Sequence, residues 1–95
     1  MRIDEIIWLQ QFVEKLAIKH DVEKTEVEEV LANHPYFRFV SKGDRPGEDV
    51  YSAMGQTDAG RYLIVVLILK SNHRALIVSA RDMDKTERRN YGRQK

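Results

Sequence analysis

The sequence predicts an α+β fold: two helices, then an antiparallel meander of three to four strands, then a C-terminal helix. Three observations predict it. Apolar residues recur at helical spacing as far as Asn33-His34-Pro35, and the period then changes to two-residue or continuous apolar up to Ala80. Beyond the last apolar run, Asp84 with Glu87 three residues later forms an Asp-x-x-Glu capping signature. Helices kept apart from a run of strands imply a two-layer arrangement around one core.

Ile3 to Trp8 is short and rich in β-branched residues, and is assigned as an edge strand. Leu9, Phe12, Val13 and Leu16 define a first helix from about Leu9 to Lys19. Val27, Val30 and Leu31 mark a second, with Glu23, Glu26, Glu28 and Glu29 on or near its solvent side. Pro35 ends it, because the residue before a proline is pushed out of the helical region. Tyr36 to Lys42 follows as a strand, Gly43-Asp44-Arg45-Pro46-Gly47 as a loop, and Glu48 to Thr57 as the next strand. Asp58-Ala59-Gly60 supplies a hairpin turn. Arg61 to Lys70 lacks alternation and is expected at the sheet centre, covered on both faces. The chain turns at Ser71-Asn72-His73, returns along Arg74 to Ala80, and enters the final helix, which Gly92 can close.

With 95 residues and no internal repeat or linker, the chain is read as one domain over 1–95. The absence of cysteine excludes disulfides and thiolate metal sites or nucleophiles, and suits a reducing cytoplasm. No apolar run approaches the ~18 residues that span a bilayer, and Asp4-Glu5 is acidic too early for a secretory signal. A soluble, cytoplasmic protein without membrane contact is expected. The net charge of +1 conceals an uneven distribution. Residues 1–34 hold 4 Lys/Arg against 8 Asp/Glu, whereas residues 81–95 hold 6 against 3. The second half can face a polyanion, but the modest total argues against a strong nonspecific nucleic-acid coat.

The chemistry-bearing residues lie at the strand ends and in the helices. Pairing across the turn near Asn72 brings residues 61–63 beside 80–82, so Arg61 and Arg81 are expected close together. With Arg88 and Arg89 arriving on the last helix, they would form a cationic pocket for a phosphodiester and its pentacoordinate transition state. The alternative is that these arginines form ion pairs with Asp58, Asp82, Asp84 and Glu87. Lys19-His20 holds the candidate proton carrier: His20 could take a proton from a ribose 2′-hydroxyl or give one to a leaving oxygen, with Lys19 or Lys15 on phosphate. Equally, cations there complement the helix dipole. Tyr91, three residues beyond Arg88, could stack on a base or pack on the sheet. His34 and His73 are read as structural or solvated, and Trp8 as core. No phosphate-cradling glycine motif and no metal-ligand spacing is found, so neither metal nor cofactor is expected.

Several pieces occur in order over most of the chain: Trp8, Lys19-His20 followed by Val22, Glu28-Glu29-Val30-Leu31, Gly47-Glu48, and Gly55-Gln56-Thr57-Asp58-Ala59-Gly60-Arg61. Ile77-Val78-Ser79-Ala80-Arg81 with Glu87-Arg88-Arg89 and Tyr91 closes the set. With them the chain resembles the BrnT family of type II toxins, a branch of the RelE/ParE-like fold. The resemblance implies a metal-independent endoribonuclease that cleaves mRNA and is silenced by an antitoxin, typically a ribbon-helix-helix DNA-binding protein. Self-association into a homo-oligomer is compatible with it. By position, Lys19 and His20 match the family's Lys-His pair, Arg61 the arginine after its Asp-x-Gly turn, Arg81 that of its Ser-Ala-Arg strand, and Arg88-Arg89 its basic pair. The resemblance thus makes Lys19, His20, Arg61 and Arg81 the catalytic set, with Arg88, Arg89, Tyr91 and Lys15 as RNA-binding candidates. Asp21 stands where the family usually has glycine, Glu23 where it has a capping serine or threonine, and the Asp-Pro start after tryptophan is missing. Asp21 would weaken phosphate binding beside His20. Together with the acidic second helix and the low net charge, it motivates an alternative: a degenerate, non-enzymatic module that binds antitoxin or RNA without cleavage.

Overall fold

Amphipathic segments at both ends of the chain pack on the two faces of a sheet in the computed structural model, which describes residues 1–94. The elements are β1 (Glu5–Ile7), α1 (Gln10–His20), α2 (Lys24–Ala32), β2 (Tyr36–Ser41), β3 (Val50–Gln56), β4 (Tyr62–Lys70), β5 (Arg74–Asp82) and α3 (Lys85–Gln94), with a one-turn 3-10 segment at Ser71–His73. The sheet has five strands in the order β1-β5-β4-β3-β2. Strands β2 to β5 form the expected antiparallel meander. The edge strand β1 adds to β5 in parallel, pairing Glu5 with Arg74 and Ile7 with Leu76, so the sheet is mixed.

Strand β4 occupies the centre because its run of β-branched and leucine side chains can be shielded from both sides. Alternation sends Leu63, Val65 and Leu67 to one face, where they are fully buried with Leu16 of α1, Val27 and Val30 of α2, and Ala75, Ile77 and Ala80 of β5. The other face is covered less completely. Helix α3 seals it around Met54, Met83 and Tyr91, with Tyr36, Tyr62 and Ile64 packed alongside, while Val66 and Ile68 remain half-buried. Trp8 packs against the main core, its Nε1 buried without a hydrogen-bond partner among the described residues.

Local signals account for most helix ends. Helix α1 stops where Asp21 takes the left-handed conformation (φ 52°), with the Val22 N–H returning to the Leu16 carbonyl at 3.1 Å. A glycine would adopt that conformation without steric cost, and aspartate is among the few other residues that visit it readily. Glu23 caps α2 in place of a hydroxyl residue, forming a capping box with Glu26. The Asp84 signature is realised in full: Glu87 N–H donates to Asp84 Oδ1 at 2.8 Å, and Asp84 N–H to Glu87 Oε1 at 2.9 Å. Gly92 does not end α3, which continues to Gln94. Strand β5 runs two residues past Ala80, so Arg81 and Asp82 still belong to the ladder, opposite Ile64 and Leu63.

Candidate active site

The C-terminal end of α1 approaches the C-terminal end of β5 and leaves a cleft of about 440 Å³ lined by Ile18, Lys19, His20, Asp21, Arg81 and Asp82. Two segments sixty residues apart in sequence therefore meet where the sequence reading placed its proton carrier and one of its arginines. Lys19 is exposed, His20 half-buried, and Ile18 83% exposed at the rim. Lys15 stands one helical turn before Lys19 and does not line the cleft.

Arg61 does not join them as expected. Alternation along β4 carries its guanidinium to the face of α1 and α2, where every one of its five N–H donors is used. Nε and Nη2 grip the Asp82 carboxylate (2.8 and 3.1 Å), Nη1 reaches the Asp21 carbonyl (2.7 Å) and the Glu26 carboxylate (3.1 Å), and Nη2 also reaches the His20 carbonyl (3.1 Å). Two unpaired carbonyls of the α1 terminus are thus satisfied by a cation, which also complements the negative end of the helix dipole. Arg61 therefore does not stand free beside Arg81: its donors are committed to Asp82, Glu26 and the backbone carbonyls of His20 and Asp21. Its hydrogen bonds hold the Asp82 carboxyl below the usual carboxylate range, and Asp82 in turn raises the arginine.

Arg81 emerges on the opposite face, toward α3. Its guanidinium forms a bidentate pair with Glu87 (2.7 and 2.8 Å), and Nη1 also donates to the Asp82 carbonyl (3.1 Å). Hydrogen bonding to Arg81 depresses the Glu87 carboxyl. Arg61 and Arg81 are therefore not two free cations side by side. Of the acids named as partners in the ion-pair alternative, Asp82 and Glu87 take these roles, while Asp58 accepts from Asn33 Nδ2 at 2.9 Å.

The remaining candidates are distributed along α3. Arg88 lies over the Tyr62 ring, 4.1 Å from its centroid, in a cation–π contact. Tyr91 is 3% exposed and meets Tyr62 edge-on, with centroids 6.1 Å apart. Of the two readings of Tyr91, stacking on a base or packing on the sheet, its burial against Tyr62 matches packing. Arg89 is exposed and makes no ion pair or hydrogen bond among the described residues. His34 and His73 are exposed, both in the left-handed region (φ 54° and 57°). Among the described residues no three His, Asp or Glu side chains converge in a metal-ligating group. Sequence reasoning missed Asp82 as a member of the cleft. The signal was available, since a register pairing residues 61–63 with 80–82 places a carboxylate on the same face as Arg61.

The family model for the ribonuclease toxin BrnT of type II toxin-antitoxin systems matches residues 8–87, a span that contains α1, the whole meander and the start of α3. The chain belongs to the BrnT family. The 1.1 Å crystal structure of the ribonuclease toxin BrnT from Brucella abortus shares its fold, with a TM-score of 0.60 over 85% of this chain and 97% of that one, at 14% identity. The search of curated proteins found no match to this chain. In this BrnT chain, both departures at the end of α1 are accommodated by the backbone. Asp21 fills the left-handed position that suits glycine, and Glu23 supplies the cap.

Proposed function

We propose that this BrnT chain is a metal-independent endoribonuclease that cleaves mRNA in the cytoplasm and is held inactive by an antitoxin of the ribbon-helix-helix type, on a RelE/ParE-like fold. The observation that carries the reading is the convergence of Lys19, His20 and Arg81 on one cleft from α1 and β5. A phosphodiester seated there would have its charge met by Lys19 and Arg81. His20 would accept the 2′-hydroxyl proton as that oxygen attacks phosphorus in line. The bond to the 5′-oxygen then breaks and a 2′,3′-cyclic phosphate is left, while water in the open cleft gives a proton to the departing oxygen. A histidine supplies proton transfer itself, so no metal-bound water is required by this scheme. Arg61 serves as a positioning residue: its hydrogen bonds to the His20 and Asp21 carbonyls fix the proton carrier opposite β5.

Incubating antitoxin-free protein with RNA in the presence of excess EDTA tests this. Cleavage is expected, with loss of roughly 10²-fold or more in His20→Ala, in line with the usual share of a general acid or base. Intact RNA with the parent protein, or full activity in both His20→Ala and Arg81→Ala, would overturn the assignment.

A second reading, a non-enzymatic module, is favoured by one feature. The Asp21 and Asp82 carboxylates share the cleft with the cations, and Glu87 already occupies Arg81. Tight complex formation with a small basic partner and no RNA cleavage would select it.

A further inference from the structure

Helix α3 crosses the sheet from the end of β5 to the edge strand β2. Its ten residues rise about 15 Å, close to the ~14 Å that three inter-strand spacings require. Between its last turns and β2 lie two adjoining depressions of about 300 and 380 Å³, both of which have Tyr36 and Gln94 in their walls. They form one groove with unlike ends. One end is apolar, built from Pro35 and Tyr36 over the buried Tyr91. The other is cationic, with Arg38 of β2 and Arg93 of α3 beside Asn90.

These two arginines differ from most others in the protein. Arg2 pairs with Asp4, Arg61 with Asp82 and Glu26, Arg81 with Glu87, Arg74 donates to the Ser71 carbonyl, and Arg88 lies over Tyr62. Arg38 and Arg93 are exposed and make no ion pair or hydrogen bond among the described residues. Among the described residues no Asp or Glu lines either depression, although the chain carries 15 of them. An unneutralised pair of guanidinium groups next to an aromatic and proline wall is complementary to a nucleotide, which has an anionic phosphate and a flat apolar base.

We infer that the groove between β2 and α3 is a second RNA-binding subsite, in which Arg38 and Arg93 hold a backbone phosphate and the neighbouring base lies against Pro35 and Tyr36. It rests on the ribonuclease reading for its biological sense, but its location is separate from the cleft. Arg81 is on β5, and the groove is on β2 at the far edge of the sheet. Arg88 lies between them along α3, on β4 through Tyr62, so a single strand of a few nucleotides could follow the helix from one site to the other. The subsite would anchor RNA flanking the scissile bond and contribute affinity without touching the reacting atoms.

The test uses a fluorescein-labelled six-nucleotide RNA, fully 2′-O-methylated so that it cannot be cleaved by 2′-hydroxyl attack. Its binding is followed by anisotropy across a salt series. The double variant Arg38→Ala/Arg93→Ala, both positions exposed, is expected to keep the parent's thermal unfolding midpoint and to bind roughly 10- to 30-fold more weakly. The slope of log affinity against log salt should fall by roughly 0.7, since the two arginines hold one phosphate and each phosphate neutralised on a single strand contributes about 0.7. Parent-like affinity and salt slope in the double variant would overturn the proposal. So would retained RNA affinity with loss of the complex formed on co-expression with the cognate antitoxin, which would assign the groove to a protein. Because binding is read without cleavage, a groove-dependent affinity in a protein that cuts no RNA would sink the enzymatic reading alone.

Discussion

Replacing Arg61 by alanine should unfold the protein earlier before it reveals anything about catalysis. The side chain is 26% exposed and uses all five donors. Its two bonds to the His20 and Asp21 carbonyls are worth about 1 kcal/mol each net. The pair with Asp82, whose side chain is 62% exposed, adds only ~0–1 kcal/mol after solvent screening. The contact with the half-buried Glu26 adds a similar amount, since removing the arginine leaves that carboxylate without its cation. The sum is roughly 2–4 kcal/mol, a large share of the ~5–15 kcal/mol typical of a small domain. At about 4–8 °C per kcal/mol for a chain of this size, the midpoint should fall by ~10–25 °C. Circular dichroism melts and urea titration measure this directly. Arg61→Lys should recover less than half of the loss, because an ammonium has three donors and no planar fork. An Arg61→Ala protein that melts like the parent yet no longer cleaves RNA would refute the reasoning and return Arg61 to the phosphate.

Glu87→Gln removes the charge that occupies Arg81 and leaves the Asp84 N–H an uncharged, weaker acceptor in the α3 capping box. RNA affinity should rise several-fold while stability drops by about 1 kcal/mol, and unchanged affinity in the anisotropy assay would show that Glu87 does not restrain Arg81. Asp82 and Glu87 both have carboxyls depressed by arginine partners, so their contribution to stability is complete above the ordinary carboxylate value of about 4 and is lost as pH falls through the lower folded values. Thermal midpoints recorded from pH 7 to 2.5 should decline in that acidic window, less steeply in Arg81→Ala than in the parent. Gly43→Ala drives a Cβ into the Glu48 carbonyl oxygen, a backbone atom, so the loop before β3 must rearrange. A loss of ~1–3 kcal/mol in urea titration is expected, as for other overpacked sites.

The elements were legible in the residues because each rests on a local cause. Helical spacing located α1 and α2, the change of period at Pro35 located the meander, and Asp84 with Glu87 located the start of α3. The end of α3 was misplaced because Gly92 sits in open solvent, where a helix tolerates glycine at a cost of about 1 kcal/mol. The parallel pairing of β1 was not legible. A strand of three residues carries too short a pattern to specify its own register, and its partner β5 lies about seventy residues away in sequence.

The candidate site divides in the same way. The residue types and their order, Lys19-His20 and then Arg81, were enough to nominate a phosphate-handling cleft, and the structure brings those residues to one cleft. The partners of each arginine were decided only by tertiary structure. A guanidinium on a long stem reaches several elements at once, and its choice depends on which face the strand alternation gives it. Arg61 is turned toward partners 21 to 41 residues away, and Arg81 toward Glu87 on α3. Local sequence fixes φ, ψ and periodicity. The pairing of charges is settled by distances between distant segments, and those exist only once the sheet is assembled.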